Sequence, residues 1–280
     1  TTGMPKGVMH SFGTLAWNLG AGLKRVPLDN STRMLSYLPM SHIVERVLVE
    51  HGCLAVGMQV YFAESLDTFT LDLQRARPTV FFSVPRLWVK FQQGINHKMP
   101  QAKLDRLLKL PIIGGLVRKK VLKALGLDQC IFAAGGAAPM PPDLLRWYTR
   151  LGLDLIEGYG MTENGAISHA TLPGKSRPGT VGLPYDGVQS RIDPVTGEIQ
   201  MKSPGLMLGY YKEEALTRQT FTPDGWLHTG DKGQLESDGY LRITGRVKEV
   251  IIRGGENINP ARIEELAMRH AAVERAAAIP

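Results

Sequence analysis

The sequence predicts an α/β protein: layered, mostly parallel sheets with flanking helices, then a small antiparallel β subdomain and the start of a C-terminal α+β domain. Three observations carry this expectation. Up to about residue 170, short apolar runs alternate with longer amphipathic ones. The short runs lack polar alternation, as in Thr79-Val80-Phe81-Phe82, which marks strands buried on both faces. After about residue 171, helical periodicity gives way to closely spaced Gly/Pro/Asp turns, the rhythm of an antiparallel sheet or barrel.

In chain order, the candidate strands of the first region are Met34–Leu38, Gln59–Phe62, Thr79–Val84, Cys130–Ala134 and Asp154–Glu157. Helices are expected near 13–24, 43–56, 66–76, 86–97, 116–125 and 142–151. Such alternation places ligands at the carboxyl ends of the strands. In the second region, turns such as Pro178-Gly179, Thr196-Gly197 and Asp238-Gly239 separate short strands, among them Tyr240-Leu241-Arg242-Ile243-Thr244. A third texture begins at Glu249-Val250-Ile251-Ile252 and turns at Gly254-Gly255. It enters a helix with Asn259 as N-cap, Pro260 at the first position, and Ile263, Leu266 and Ala267 on one face. The expected divisions are 1–170, 171–247 as a β-rich part of the same large domain, and 248–280 as a junction and the beginning of a small domain.

Composition narrows the function. A chain of 280 residues has ample core without staples. No apolar stretch approaches the roughly 18–20 residues of a membrane span. Cys53 and Cys130 fit neither a disulfide framework nor a zinc cluster, and read as small core residues in a reducing compartment. Glycine, 31 of 280 residues, exceeds the average of roughly 7%, as turns and phosphate loops require. The net charge of +7 is local: residues 98–123 hold eight Lys/Arg against Asp105, and the remaining chain carries 25 of each sign. With no aromatics interleaved there, a nucleic-acid partner is not expected.

Four constellations carry chemistry. Thr1-Thr2-Gly3-Met4-Pro5-Lys6-Gly7 can cradle phosphate oxygens with backbone N–H groups and a point charge, although it is not a Walker A loop. Alone it reads rather as a solvated turn. Gly158-Tyr159-Gly160-Met161-Thr162-Glu163 follows a strand, so Tyr159, Thr162 and Glu163 stand at a carboxyl-end crevice. There a ring stacks on a base, a hydroxyl meets phosphate and a carboxylate holds Mg²⁺; in isolation the segment is also an ordinary polar turn. In Gly225-Trp226-Leu227-His228-Thr229-Gly230-Asp231, the carboxylate suits ribose hydroxyls or merely caps a turn. Gly245-Arg246-Val247-Lys248-Glu249 places an arginine donor near it and Lys248 at the junction of two textures.

In this order the four motifs resemble the adenylate-forming superfamily of acyl-CoA synthetases, peptide adenylation domains and luciferases, whose patterns are T-T-G-x-P-K-G, Y-G-x-T-E, W-x-x-T-G-D and G-R-x-K-E. Within it the chain is most similar to long-chain fatty acyl-CoA synthetases. Tyr37-Leu38-Pro39-Met40-Ser41-His42-Ile43-Val44-Glu45-Arg46 and Val84-Pro85-Arg86 follow their segments. Gly135-Gly136-Ala137-Ala138-Pro139 resembles their S-G-A-A-P turn, with Gly135 replacing serine. Gly254-Gly255-Glu256-Asn257 resembles G-G-K-N, with Glu256 in place of lysine.

The resemblance implies ATP-dependent activation of a long-chain fatty acid to an acyl-adenylate, and transfer to CoA with release of AMP and pyrophosphate. It implies that Thr1, Thr2, Gly3 and Lys6 hold the β/γ-phosphates, Thr162 the α-phosphate, and Glu163 Mg²⁺. Tyr159, Gly160 and the Gly135, Gly136, Ala137 turn would border the nucleotide, while Asp231 and Arg246 take the ribose. His42 would lie near the acyl carboxylate, or simply cap the next helix. Lys248 matches the hinge of the small domain. The alternative reading is the adenylating module of a carboxylic acid reductase or of a carrier-protein ligase.

The expected location is cytoplasmic, peripheral at the inner face of a membrane. Leu104, Leu107, Leu108, Leu110, Ile112, Ile113, Leu116 and Val117 interleave with the basic residues of 98–123. That segment reads either as a contact with anionic membrane or as a solvated helical pair broken at Pro111 and Gly114-Gly115. The family's T-S-G would precede Thr1 and its adenylating lysine would follow Pro280, so the sequence reads as truncated at both ends. The 280 residues alone are expected to have little adenylating activity; robust acyl-adenylate formation by them would refute this.

Overall fold

The structure is a computed structural model that describes residues 5–26, 28–247, 251–253, 256–258, 260–268 and positions 270, 273, 276 and 278. The chain enters through a short strand β1 (Val8–Met9) and helix α1 (Phe12–Leu23). Ser11 caps the helix, its Oγ accepting from Thr14 N at 3.0 Å. Strands β2 (Arg33–Ser36) and β3 (Gln59–Phe62) pair in parallel. The helix expected between them is wound in two ways: Glu45–His51 is a π-helix and Gly52–Val56, α2, is regular. The wide turn coincides with Glu45 facing inward, where its Oε1 accepts from Ser36 Oγ.

The chain continues through α3 (Phe69–Ala76), β4 (Val80–Ser83), α4 (Pro85–Lys98), α5 (Gln101–Leu108), α6 (Ile113–Leu125), β5 (Phe132–Gly135), α7 (Pro142–Arg150) and β6 (Leu155–Tyr159). Strands β4, β5 and β6 are parallel, and β7 (His169–Ala170) and β8 (Leu183–Pro184) add antiparallel to the β6 side. A bond from Thr79 N to Arg33 O, 2.9 Å, stitches β2 to the β4 edge. The expected apolar strands are thus present, displaced by a residue or two, and their unbroken hydrophobicity has a geometric cause. Alternation along the strands sends Phe81, Ala133 and Leu155 into a core with α3 to α7. Val80, Phe132, Ala134 and Ile156 enter a second core with α1 and the π-helix.

Helices α5 and α6 are the helical pair that is one reading of 98–123, broken at Pro111 as expected. α5 is rich in charge, and Leu104 is its one fully buried side chain. α6 starts three residues earlier than periodicity indicates because Gly114 lies under the end of α5. A Cβ there would stand 2.6 Å from Leu108 O. Cys53 and Cys130 are half-buried against the two cores, as expected, and burial pushes the Cys130 thiol up to about 12.

The turn-rich region forms a four-stranded antiparallel sheet, β9 (Gln189–Ile192), β10 (Glu198–Lys202), β12 (Leu227–Leu235) and β13 (Leu241–Arg246), in the order β13-β12-β10-β9. Between β10 and β12, β11 (Gly209–Tyr210) leaves this sheet to pair with β1 and is followed by α8 (Glu214–Thr220). Turn spacing implied short strands, yet β12 runs nine residues straight through the Thr229-Gly230-Asp231 motif. After it come the hairpin β14 (Ile251–Arg253) and β15 (Glu256–Ile258), then α9 (Pro260–Met268). Ile263 and Leu266 of its expected apolar face are exposed. Asn259, Gly254 and Gly255 lie outside the described residues.

Trp88 anchors the larger core. It is fully buried, meets Phe81 and Tyr148 edge-on with ring centroids 5.3 and 5.0 Å away, and donates from Nε1 to Ala134 O at 3.3 Å. Trp88→Ala is expected to cost about 3–5 kcal/mol of stability in urea titrations. Leu66→Ala, at a side chain 92% exposed, should cost no more than about 0.5 kcal/mol.

Candidate functional site

Strands β2, β4, β5 and β6 direct their carboxyl ends to one edge. Arg33 meets Thr79 at the start of the β2–β4 pair, and at its end the Tyr37 hydroxyl donates to Phe82 O at 2.8 Å. The loops that follow these strands carry His42, the Gly135–Pro139 turn and the Tyr159–Glu163 segment, so they emerge together.

Two of these loops come too close for side chains. A Cβ on Gly136 would stand 3.0 Å from Gly158 O, and one on Gly160 would stand 2.5 Å from Ala166 C. Ala137 holds a left-handed φ of 66° at the exposed crest of the first turn. Beneath it lies Glu157, which sequence reasoning passed over. Its Oε2 is buried with no hydrogen-bond partner among the described residues, and burial raises its carboxyl to about 7 against a bond from Met140 N–H. The available signal was an acid closing an apolar strand just before Gly158.

Tyr159 leaves β6 pointing toward the antiparallel sheet. Its hydroxyl donates to Asp231 Oδ2 at 2.7 Å, and Arg246 Nε lies 3.2 Å from Asp231 Oδ1. Asp231 and Arg246 are register partners on β12 and β13. Local bonds fix the carboxylate: Asp231 N donates to Thr229 Oγ1, which donates to Ile199 O at 2.7 Å, and Gly230 N donates to Glu198 Oε1 at 2.7 Å. Burial first, then the adjacent carboxylate, keeps the Tyr159 hydroxyl protonated well above its ordinary range. Behind it His169 is fully buried, and burial lowers its imidazole to about 3, so it is neutral.

A second cluster gathers the other motifs. Lys6 Nζ sits 4.9 Å from the centre of the Tyr210 ring, and the Tyr210 hydroxyl donates to Glu163 Oε1 at 2.7 Å. Pairing of β1 with β11 brings Tyr210 to Lys6, while Met207 N donates to Glu163 O at 2.8 Å. His10 Nε2 donates to Thr162 O at 2.7 Å, tying the entry strand to the same turn. Tyr210, too, was missed; a tyrosine after Gly209 far from the four motifs gave no sign until β11 paired with β1.

Lys6, Tyr159, Thr162, Glu163, Asp231 and Arg246 therefore belong to two adjoining clusters joined by the Tyr159–Glu163 segment. His42 stands in the loop after β2, where its Nδ1 accepts from Val44 N at 3.3 Å, and burial lowers its pKa. Thr1, Thr2, Gly3 and Lys248 lie outside the described residues. No group of three or more His, Cys, Asp or Glu able to hold a metal occurs among the described residues.

The AMP-binding enzyme family matches residues 1–211. The chain belongs to this family. Its relatives include a long-chain-fatty-acid–CoA ligase, ACSBG2, of Xenopus laevis, 33% identical over 95% of this chain and 41% of that protein. Among solved structures, ATP-bound MatB of Rhodopseudomonas palustris superposes with a TM-score of 0.80 at 28% identity, covering 99% of this chain and 52% of that one. The o-succinylbenzoate CoA synthetase of Bacillus subtilis, holding its acyl-adenylate, gives 0.79 at 26% identity over 99% and 53%. The chain thus spans about half the length of these proteins, or less.

The buried acid of this AMP-binding fold is testable. Between the carboxylate's usual 4.5 and about 7, folded Glu157 keeps a proton that the unfolded chain has lost. Stability therefore falls as pH rises through that window. Glu157→Gln should stabilise by up to about 3 kcal/mol at about pH 8 and hardly at all near the lower limit. Equal effects at both pH values in thermal unfolding would show that the carboxyl does not titrate in this way.

Proposed function

We propose that this chain forms the nucleotide-holding part of a long-chain fatty acyl-CoA synthetase. The observation that carries the reading is the meeting of the Tyr159–Asp231–Arg246 and Lys6–Tyr210–Glu163 clusters around one turn. One cluster suits a nucleoside and the other its phosphates.

In the first half-reaction a carboxylate oxygen of the fatty acid attacks the α-phosphorus of ATP, and pyrophosphate leaves. In the second the CoA sulfur attacks the acyl carbonyl carbon, its proton is lost to solvent, and AMP leaves with its bonding pair. Negative charge crowds the first step, so donors must be fixed before it begins. Asp231, already an acceptor for Tyr159 and near Arg246, takes ribose hydroxyls, with Arg246 as a neighbouring donor. The backbone of Gly135, Gly136, Ala137 and Gly160, free of bulk, lets the adenine lie beside Tyr159. Lys6, with Thr1, Thr2 and Gly3, meets the outer phosphates, and the Thr162 hydroxyl meets the α-phosphate. His42, whose lowered pKa favours the neutral ring, orients the fatty carboxylate without an added charge.

A lone carboxylate beside phosphates fits Mg²⁺, which retains several waters and few protein ligands. Half-buried Glu163, steered by Tyr210, is the residue that would hold it. When bound, the ion neutralises phosphate charge. We place the small-domain hinge at Lys248, with residues 1–247 as one large domain and 248–280 beginning the next.

The test measures AMP release in the native polypeptide that contains these residues, across a carboxylate chain-length series, with and without CoA. Long-chain acids should drive AMP release, CoA should accelerate it, and Tyr210→Phe should lower kcat/KM about tenfold by freeing Glu163. AMP release independent of the acid, or indifferent to CoA, sinks the proposal.

A further inference from the structure

The helical pair α5–α6 carries a surface that the nucleotide clusters do not use. Its inner side is packed through Leu104, Val121 and Leu125. Its connecting turn is apolar and faces solvent: Leu110 is 42% exposed, Ile112 85%, Ile113 45% and Leu116 64%. Ile112 holds a left-handed φ of 64°, a conformation that β-branched residues rarely adopt. Its ψ of −55° and the bond from Ile113 N to Pro111 O, 2.6 Å, make it the centre of a tight three-residue turn. Glycine would be ordinary there, so an outward isoleucine is not explained by folding of the turn.

Beyond the turn, Ile113, Leu116, Lys120 and Lys123 recur at i, i+3, i+7 and i+10, and all four are exposed on one face of α6. Lys109 and Lys119 flank this face. Among the described residues no carboxylate is within ion-pair distance of Lys109, Arg118, Lys119, Lys120 or Lys123, whereas Arg77 and Arg150 nearby are paired with Asp128 and Asp105. Lys120 and Lys123 also border, with Arg77 and Gln74, an open cleft of about 370 Å³. No helix among the described residues is long and apolar enough to cross a membrane.

We propose that the α5–α6 turn docks on an anionic lipid membrane. The apolar turn enters the headgroup boundary, and Lys109, Lys119, Lys120 and Lys123 meet lipid phosphates around it. Charge complementarity selects this occupant: unneutralised cations ringing a small apolar tip match a surface that offers phosphates and hydrocarbon within one side-chain length. The docking stands independently of the catalytic reading, because it needs neither nucleotide nor turnover.

Co-sedimentation of the native polypeptide with phosphatidylcholine vesicles, with or without phosphatidylglycerol, tests it. Binding should be about tenfold stronger to the anionic vesicles and weaken as salt rises. The pair Ile112→Asn and Leu116→Gln should reduce it about tenfold, and Lys119→Ala with Lys120→Ala and Lys123→Ala should do the same independently. All five positions are exposed, and thermal unfolding verifies that each variant is folded. Equal binding to both vesicle types, binding to neither, or wild-type binding by either folded variant overturns the proposal.

Discussion

One carboxylate ties the two halves of this molecule together. Tyr159 ends the last parallel strand, Asp231 lies midway along the longest antiparallel one, and Arg246 pairs with it from the neighbouring strand. The aspartate is 8% exposed, so its charge must be met by donors held at fixed distances. A charge-assisted bond of this kind contributes about 1.5–3 kcal/mol, and its loss leaves a buried anion short of partners. The same arrangement suits the proposed ribose contact, because a carboxylate already oriented by fixed donors needs little reorganisation to accept a ligand's hydroxyls.

Around that contact the backbone is drawn unusually close. Gly136 and Gly160 admit no side chain without displacing neighbouring backbone, and Gly205 sits against Asn18, whose Nδ2 donates to Gly205 O at 2.9 Å. These contacts bind α1, the turn after β5, the Tyr159–Glu163 turn and the segment before β11 into one unit. The second cluster has the same origin: Lys6, Tyr210 and Glu163 are remote in sequence and meet because β1 pairs with β11.

The strands of the parallel sheet were legible because burial on both faces writes itself as an unbroken apolar run, as at Val80–Ser83. The four motifs were legible because their residue types are chemically narrow, whereas the contact of Tyr159 with Asp231, and of Asp231 with Arg246, is visible only in the fold. Helix α5 was legible only as one of two readings of 98–123, since Leu104, Leu107 and Leu108 recur at helical spacing but only Leu104 is fully buried. The π-winding at Glu45 depends on a partner, Ser36, from another element, and no local pattern encodes that. Tyr210 and Glu157 escaped for related reasons. The first gains its place by strand pairing across two hundred residues, and the second is distinctive only once burial is known.

The central claim is that the Asp231 cluster is a nucleoside site, and equilibrium binding of AMP by calorimetry examines it without requiring turnover. The account predicts saturable one-to-one binding by the native polypeptide, weakened at least about tenfold by Asp231→Asn, in a variant that still unfolds cooperatively although the lost charge-assisted bonds lower its unfolding temperature by a few degrees. AMP affinity unchanged in a folded Asp231→Asn protein would contradict it.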